Sequence, residues 1–175
     1  LRIVIPGDDP VQIAGSPHLA RLEPFGEIII YDSRPSNKDE QIARVQNADI
    51  IINSRGTVDW RKDDLIQLPN LKMIATCSIG TDMIDLEVAK TRGIVVSNQP
   101  GRTAPVVAEH MFGLMFALSK KAHFQTAELK AGRWTRRMNL MLQKKVLGIV
   151  GTGAIGAEMA RLGNALGMEV IAWTF

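Results

Sequence analysis

The segment Val146-Leu147-Gly148-Ile149-Val150-Gly151-Thr152-Gly153-Ala154-Ile155-Gly156 constrains this chain more than any other. Its apolar, β-branched start reads as a buried strand, its glycines as a tight turn, and its end as the opening of a helix. In that context G-x-G-x-x-G marks a dinucleotide-binding turn. Gly151 permits the turn, Gly153 lets backbone approach a pyrophosphate, and Gly156 lets the helix pack close to the strand. The helix start at Ala154 and Ile155 then offers free N–H groups and partial positive charge to phosphates. A tight βα turn that holds no ligand is the plain structural alternative.

Only one more strand, Glu169 to Trp173, precedes the end of the sequence at Phe175. A complete dinucleotide-binding domain needs several more strands. The expectation is the front half of an enzyme, and the first residue, Leu1, fits a trimmed chain.

A chain of 175 residues makes one domain, or one and part of another. Its net charge of +3 is small, and no basic stripe is interleaved with aromatics, which argues against nucleic acid as a partner. No apolar run is long enough to span a membrane; the segment Val106 to Leu118 is short and carries Glu109 and His110. A lone cysteine, Cys77, excludes an internal disulfide and fits a reducing cytoplasm.

Short apolar runs bounded by Gly, Pro, Asn or Asp predict strands at Arg2–Pro6, Glu27–Tyr31, Asp49–Asn53, Lys72–Cys77 and Ile94–Ser97. Between them, helical patterns occupy Gln41–Gln46, Trp60–Gln67 and Leu86–Arg92. Ser36 and Asp39 resemble a capping box for the first of these, and Gly93 stops the third. Regular βα alternation argues for a parallel sheet with helices on its faces. This first domain covers residues 1–98. Residues 99–175 then open a second domain, truncated after its second strand. Asn98-Gln99-Pro100-Gly101-Arg102-Thr103 reads as a hinge. Pro105 opens a long helix to about Lys121 whose apolar residues lie nearly all round, which predicts burial between domains or subunits. A second helix, Ala122–Ala131, ends at Gly132, a basic loop covers Trp134–Lys145, and a helix follows the glycine turn over Ile155–Leu166.

An acid at the end of the second strand of such a domain holds the ribose hydroxyls. Here the position 18 residues after Gly156 is Thr174, with no carboxylate to repel a 2′-phosphate. NAD and NADP therefore both stay open.

Cys77-Ser78-Ile79-Gly80-Thr81-Asp82-Met83-Ile84-Asp85, Asn98-Gln99-Pro100-Gly101, Val107-Ala108-Glu109-His110 and the glycine fingerprint occur in this order. Together they resemble the D-isomer-specific 2-hydroxyacid dehydrogenase family. The resemblance implies an α/β fold: a flavodoxin-like substrate domain followed by a partial Rossmann domain with a doubly wound parallel sheet. The cleft between them would hold substrate and cofactor. It also implies hydride transfer between NAD or NADP and C2 of a small 2-hydroxy or 2-keto acid, and a homodimer.

By this resemblance Ile79 and Gly80 hold the substrate carboxylate through backbone N–H groups, a task suited to an anion approaching a glycine. Asp82 and Asp85 read better as caps of the next helix than as bases. Ser54 and Arg55 match the loop that binds the far end of the substrate, and Arg55 could pair bidentately with a carboxylate or phosphate. A surface arginine is the alternative. Asn53 departs from the basic pattern of phosphoglycerate-type members. Thr103 matches a cofactor-side position, with a helix cap as the equal alternative. Glu109 and His110 are adjacent on a helix and cannot face one another, so both are expected to be structural. Cys77 is expected to pack rather than react, and no metal-ligand spacing occurs. The family's catalytic arginine, glutamate and histidine come, by its order, after the second strand of the nucleotide domain, so no catalytic residue is assigned within residues 1–175. A non-catalytic nucleotide-sensing protein on the same scaffold is the rival expectation.

Overall fold

The computed structural model describes residues 1–100 and 103–174. Gly101 and Arg102 of the expected hinge, and Phe175, lie outside the described residues. The chain divides into two compact units, Leu1–Pro100 and Gly101–Phe175, against an expected boundary after residue 98.

In the first unit, β1 (Arg2–Ile5), β2 (Glu27–Ile30), α1 (Lys38–Val45), β3 (Ile50–Asn53), α2 (Lys62–Leu65), β4 (Met73–Thr76), α3 (Leu86–Thr91) and β5 (Val95–Ser97) follow in order. All strand pairs are parallel, in the order β2-β1-β3-β4-β5. This is the flavodoxin-like order, and it reverses direction between β1 and β3. Each strand is slightly shorter than expected. Because strand side chains alternate, Ile51 and Asn53 are buried while Ile50 and Ile52 are half-buried. Val4, Ile51 and Ile74 on the sheet meet Val45, Leu65 and Ala89 of the helices in one core, with Trp60 fully buried among them.

Two helix starts correct the sequence reading. The cap of α1 is Asn37, not Ser36: its side chain accepts the Glu40 N–H at 2.8 Å. Glu40, not Asp39, reaches back, accepting the Ser36 N–H at 2.8 Å and the Ser36 hydroxyl, and it also pairs with Arg44. The expected helix at Trp60 begins later, because the Trp60 backbone is taken by Met83 and Asp85. Trp60 N–H donates to Met83 O at 2.7 Å, and Asp85 N–H donates to Trp60 O at 2.9 Å.

The Glu40 contacts give a pH dependence. The Ser36 hydroxyl and N–H, then Arg44, hold its carboxyl at about 2, below an ordinary 4.5. A depressed folded pKa means a contribution complete above the ordinary value and lost as pH falls through the folded one. The stability gap between wild type and Glu40→Gln should therefore shrink between pH 4.5 and about 2. Urea midpoints measured across that range check it, and a gap constant with pH would contradict it.

The second unit contains α4 (Ala104–Ser119), α5 (Ala122–Lys130), β6 (Val146–Val150), α6 (Ala154–Ala165) and β7 (Glu169–Trp173). β6 and β7 pair in parallel from Val146↔Glu169 to Val150↔Trp173, joined through α6. Ala108 and Phe112 of α4 pack with Ile149, Met159 and Met168 in its core. Within this unit one face of α4 is covered. Of α4, only Ala104, Ala108, Phe112 and Ser119 are buried. Its packing partner is α6, which covers one face. Met111, Leu114 and Leu118 lie three and four residues apart, one stripe of the helix, and are 48%, 52% and 70% exposed. Among the described residues, no helix is long and apolar enough to cross a membrane.

Candidate functional site

The glycine turn forms as its sequence requires. Gly151 has φ +92°, a value side chains disfavour, and its N–H donates to Trp173 O at 2.7 Å. Gly153 caps α6 without a side chain, and a Cβ added there would meet nothing within 4 Å. At Gly156 a Cβ would lie 2.0 Å from Gly151 O, so the helix approaches the turn as closely as backbone allows. The first hydrogen bond of α6 runs from Ala157 N–H to Gly153 O at 2.9 Å. Ala154, Ile155 and Gly156 therefore carry the unpaired N–H groups of a helix start. No acidic residue stands in that first turn. Three donors without a partner among the described residues, beside open space and at a positive helix end, fit a pyrophosphate. Thr174 follows β7 and is exposed, and Thr103 precedes α4, also exposed. The Thr103 side chain makes no cap hydrogen bond.

In the first unit the predicted substrate residues sit at the carboxyl ends of neighbouring strands, where open α/β sheets bind ligands. After β4, Ser78 bends back: its N–H meets the Thr76 hydroxyl at 3.2 Å and its own hydroxyl donates to Gly80 O at 3.1 Å. The Asn98 amide donates to Ile79 O at 2.7 Å. The carbonyls of Ile79 and Gly80 thus accept hydrogen bonds within the protein, while their N–H groups donate to nothing among the described residues. Both residues are exposed. A pair of adjacent free amides suits a carboxylate. Asp85 caps α3, accepting Val88 N–H at 3.0 Å, as expected. Asp82 does not cap; its carbonyl accepts from the Arg61 guanidinium at 2.8 Å.

After β3, the chain makes a single 3-10 turn over Ser54–Gly56. Arg55 sits there at φ +49°, strained for a residue with a side chain. It is exposed and has no ion pair or hydrogen bond among the described residues. Ser54 is buried, and its hydroxyl faces Asp8 at 3.4 Å. Asn53 is buried too, and its amide donates to Val58 O at 2.9 Å, which closes the loop rather than serving a ligand.

Asp8 was not legible as a site residue. It is fully buried three residues past β1, and its carboxylate accepts N–H groups from Gln12, Ile13 and Ala14 at 2.7–3.1 Å. Burial pushes its carboxyl upward, but the Ala14, Gln12 and Ile13 amides outweigh this and hold it below the usual range. Its position shortly after a strand was the one available signal. Burial, then the Asp8 charge, pushes the Cys77 thiol upward, away from thiolate. Glu109 and His110 are exposed on α4 and bond to no partner among the described residues. Among the described residues no His, Cys, Asp or Glu cluster could hold a metal.

Comparison with known proteins follows the same line. The family described as D-isomer specific 2-hydroxyacid dehydrogenase, catalytic domain, matches residues 9–161. D-3-phosphoglycerate dehydrogenase of Methanocaldococcus jannaschii is 34% identical over 154 residues, 87% of this chain and 29% of that protein. Hydroxypyruvate reductase of Thermotoga maritima is 38% identical over 138 residues, 78% of this chain and 45% of that protein. The chain thus spans less than half the length of these two relatives. Among solved structures, an acyclic imino acid reductase in complex with NADPH and D-Arg superposes with a TM-score of 0.86 at 27% identity, over 98% of this chain and 55% of that one. D-lactate dehydrogenase from Aquifex aeolicus, complexed with NAD and lactic acid, gives a TM-score of 0.81 at 26% identity, over 98% and 50%.

Proposed function

The chain belongs to the D-isomer specific 2-hydroxyacid dehydrogenases, and from that premise we propose that its protein moves hydride between a nicotinamide dinucleotide and C2 of a 2-hydroxy or 2-keto acid. The observation that carries the reading is the turn from β6 to α6, with three amides unpaired among the described residues beside open space and Gly156 against Gly151.

Each residue then has a task. Gly151, Gly153, Ala154, Ile155 and Gly156 cradle the pyrophosphate. Thr174 offers a hydroxyl to the adenine-side ribose and, carrying no charge, admits NAD or NADP. Thr103 offers its hydroxyl toward the nicotinamide half. The N–H groups of Ile79 and Gly80 take the substrate carboxylate, which fixes C2. Arg55, with Ser54 anchoring the loop beneath it, takes the far end of the acid. The nicotinamide, when bound, supplies or accepts the hydride. No residue of this chain is assigned to proton transfer; Glu109 and His110 lie exposed and have no side-chain partner among the described residues. The single thiol, Cys77, suits a cytoplasmic setting.

The exposed stripe Met111, Leu114 and Leu118 supports a homodimer, as do Trp134, Met138 and Met141, which are 77%, 89% and 61% exposed. Light scattering of the complete polypeptide should give twice the monomer mass, and Leu118→Glu should lower it.

The test of function is oxidation of NADH or NADPH by the complete polypeptide with glyoxylate, hydroxypyruvate or pyruvate. Turnover with at least one is expected. Losing the charge-assisted pair at Arg55→Ala should raise the keto-acid KM by about 10-fold or more. Nucleotide binding without any turnover would contradict the assignment.

A further inference from the structure

The sheet order reverses between β1 and β3, and the loops leaving these two strands are tied to one another. Asp8 is the centre of the tie. Its two carboxylate oxygens gather the N–H groups of Gln12, Ile13 and Ala14, which fixes the path of the chain after β1. The Ser54 hydroxyl approaches the same carboxylate at 3.4 Å, a long contact. The Thr57 hydroxyl donates to Gly7 O at 3.0 Å, a full hydrogen bond. Ser54 and Thr57 flank Arg55 and Gly56 on both sides. On the far side of the loop, Asn53 holds Val58 O and a Cβ at Gly56 would meet Met83 at 3.3 Å.

Arg55 itself has left-handed backbone and, among the described residues, no partner for its side chain. Such a conformation costs energy and persists only where its surroundings fix it. The bonds on either side of it come from the loop after β1, through Asp8 and Gly7, and from Asn53 to Val58 O within its own loop. A buried carboxylate that accepts three backbone N–H groups is a rigid anchor, because each lost bond leaves charge less well paired away from water.

We propose that Asp8 is a positioning residue for substrate binding: through Gly7, Ser54 and Thr57 it holds Arg55 in the one backbone conformation that presents the guanidinium to the far end of the acid. The proposal rests on the reading of Arg55 as a substrate contact. It assigns Asp8 no contact with substrate, cofactor or reacting atoms.

The experiment compares Asp8→Asn, Thr57→Val and Arg55→Ala in the complete polypeptide. Asn keeps the shape of Asp and removes the charge. Val keeps the shape of Thr57 and removes only its bond to Gly7, so it reports even if Asp8→Asn does not fold. Three quantities are read: the KM for the keto acid, the KM for the nicotinamide cofactor, and amide hydrogen exchange of residues 53–58. The proposal expects Asp8→Asn and Thr57→Val each to raise the keto-acid KM at least threefold, leave the cofactor KM within twofold, and speed exchange at residues 53–58. A merely structural role would lower stability without that split between the two KM values. If Arg55→Ala raises the keto-acid KM while Thr57→Val and any folded Asp8→Asn stay at wild-type KM and exchange, the positioning role is overturned and the substrate reading of Arg55 stands. If Arg55→Ala itself leaves the keto-acid KM unchanged, the substrate reading fails, and the positioning role with it.

Discussion

Gly156→Val is expected to abolish nucleotide binding and to destabilise the second unit together. A Cβ at residue 156 would lie 2.0 Å from Gly151 O and 3.1 Å from Gly151 C. Both are backbone atoms of the turn, so neither can swing aside as a side chain would. The start of α6 must move away from β6. That movement takes the free amides of Ala154 and Ile155 off the pyrophosphate and opens the packing around Ile149 and Met159. Overpacking costs ~1–3 kcal/mol and more against backbone, so a loss of ~3 kcal/mol and a weakening of nucleotide binding beyond ~100-fold are expected. Gly153→Ala is the matched contrast. Its Cβ would meet nothing within 4 Å, and its φ of −66° suits alanine. Stability should stay within ~0.5 kcal/mol, the range of surface changes, while the Cβ occupies the space a phosphate needs. Thermal unfolding and NADH or NADPH fluorescence titrations separate the two effects. Gly153→Ala binding either nucleotide as wild type does would remove the phosphate from this turn.

Trp60→Ala is expected to be the most damaging single truncation in the first unit. The side chain is fully buried among Val58, Leu65, Leu68 and Ile84. Removing a buried Trp leaves a cavity that backbone cannot fill, at a cost of ~3–5 kcal/mol. The damage should reach the candidate site, because the Trp60 backbone pairs with Met83 and Asp85 beyond the Ile79–Gly80 amides. Trp60→Phe should cost much less. The indole N–H of Trp60 has no hydrogen-bond partner among the described residues, so phenylalanine loses volume but also a buried unpaired donor. Denaturant unfolding of the three proteins checks the order. A loss below ~1 kcal/mol for Trp60→Ala would mean that the site is not packed as the structure has it.

The strands were legible because their signal is local: Ile50 to Ile52 and Val146 to Val150 are apolar runs with punctuated ends. The glycine turn was legible for the same reason, since positive φ at Gly151 and the close approach at Gly156 admit only glycine. Helix α1 starts three residues before the expected Gln41, with its cap one residue later than Ser36, and α2 starts two residues after Trp60. Asn37 and Ser36 are both good caps, and a cap is chosen by the bond it makes. Trp60 was placed in a helix because its pairing partners, Met83 and Asp85, lie more than twenty residues away in sequence. For α4 the sequence showed apolar faces and not what covers them, because periodicity does not name the partner. Asp8 was invisible for a related reason. An aspartate after a strand reads as solvated until the folded chain brings Gln12, Ile13, Ala14 and Ser54 around it.

The most direct test of hydride transfer uses the complete polypeptide, a 2-keto acid and NADH or NADPH deuterated at C4 of the nicotinamide, with each face labelled in turn. The account predicts one deuterium on C2 of the 2-hydroxy acid from one of the two labels, and the D configuration at that carbon. A product without deuterium at C2 from either label, or of the L configuration, would contradict it.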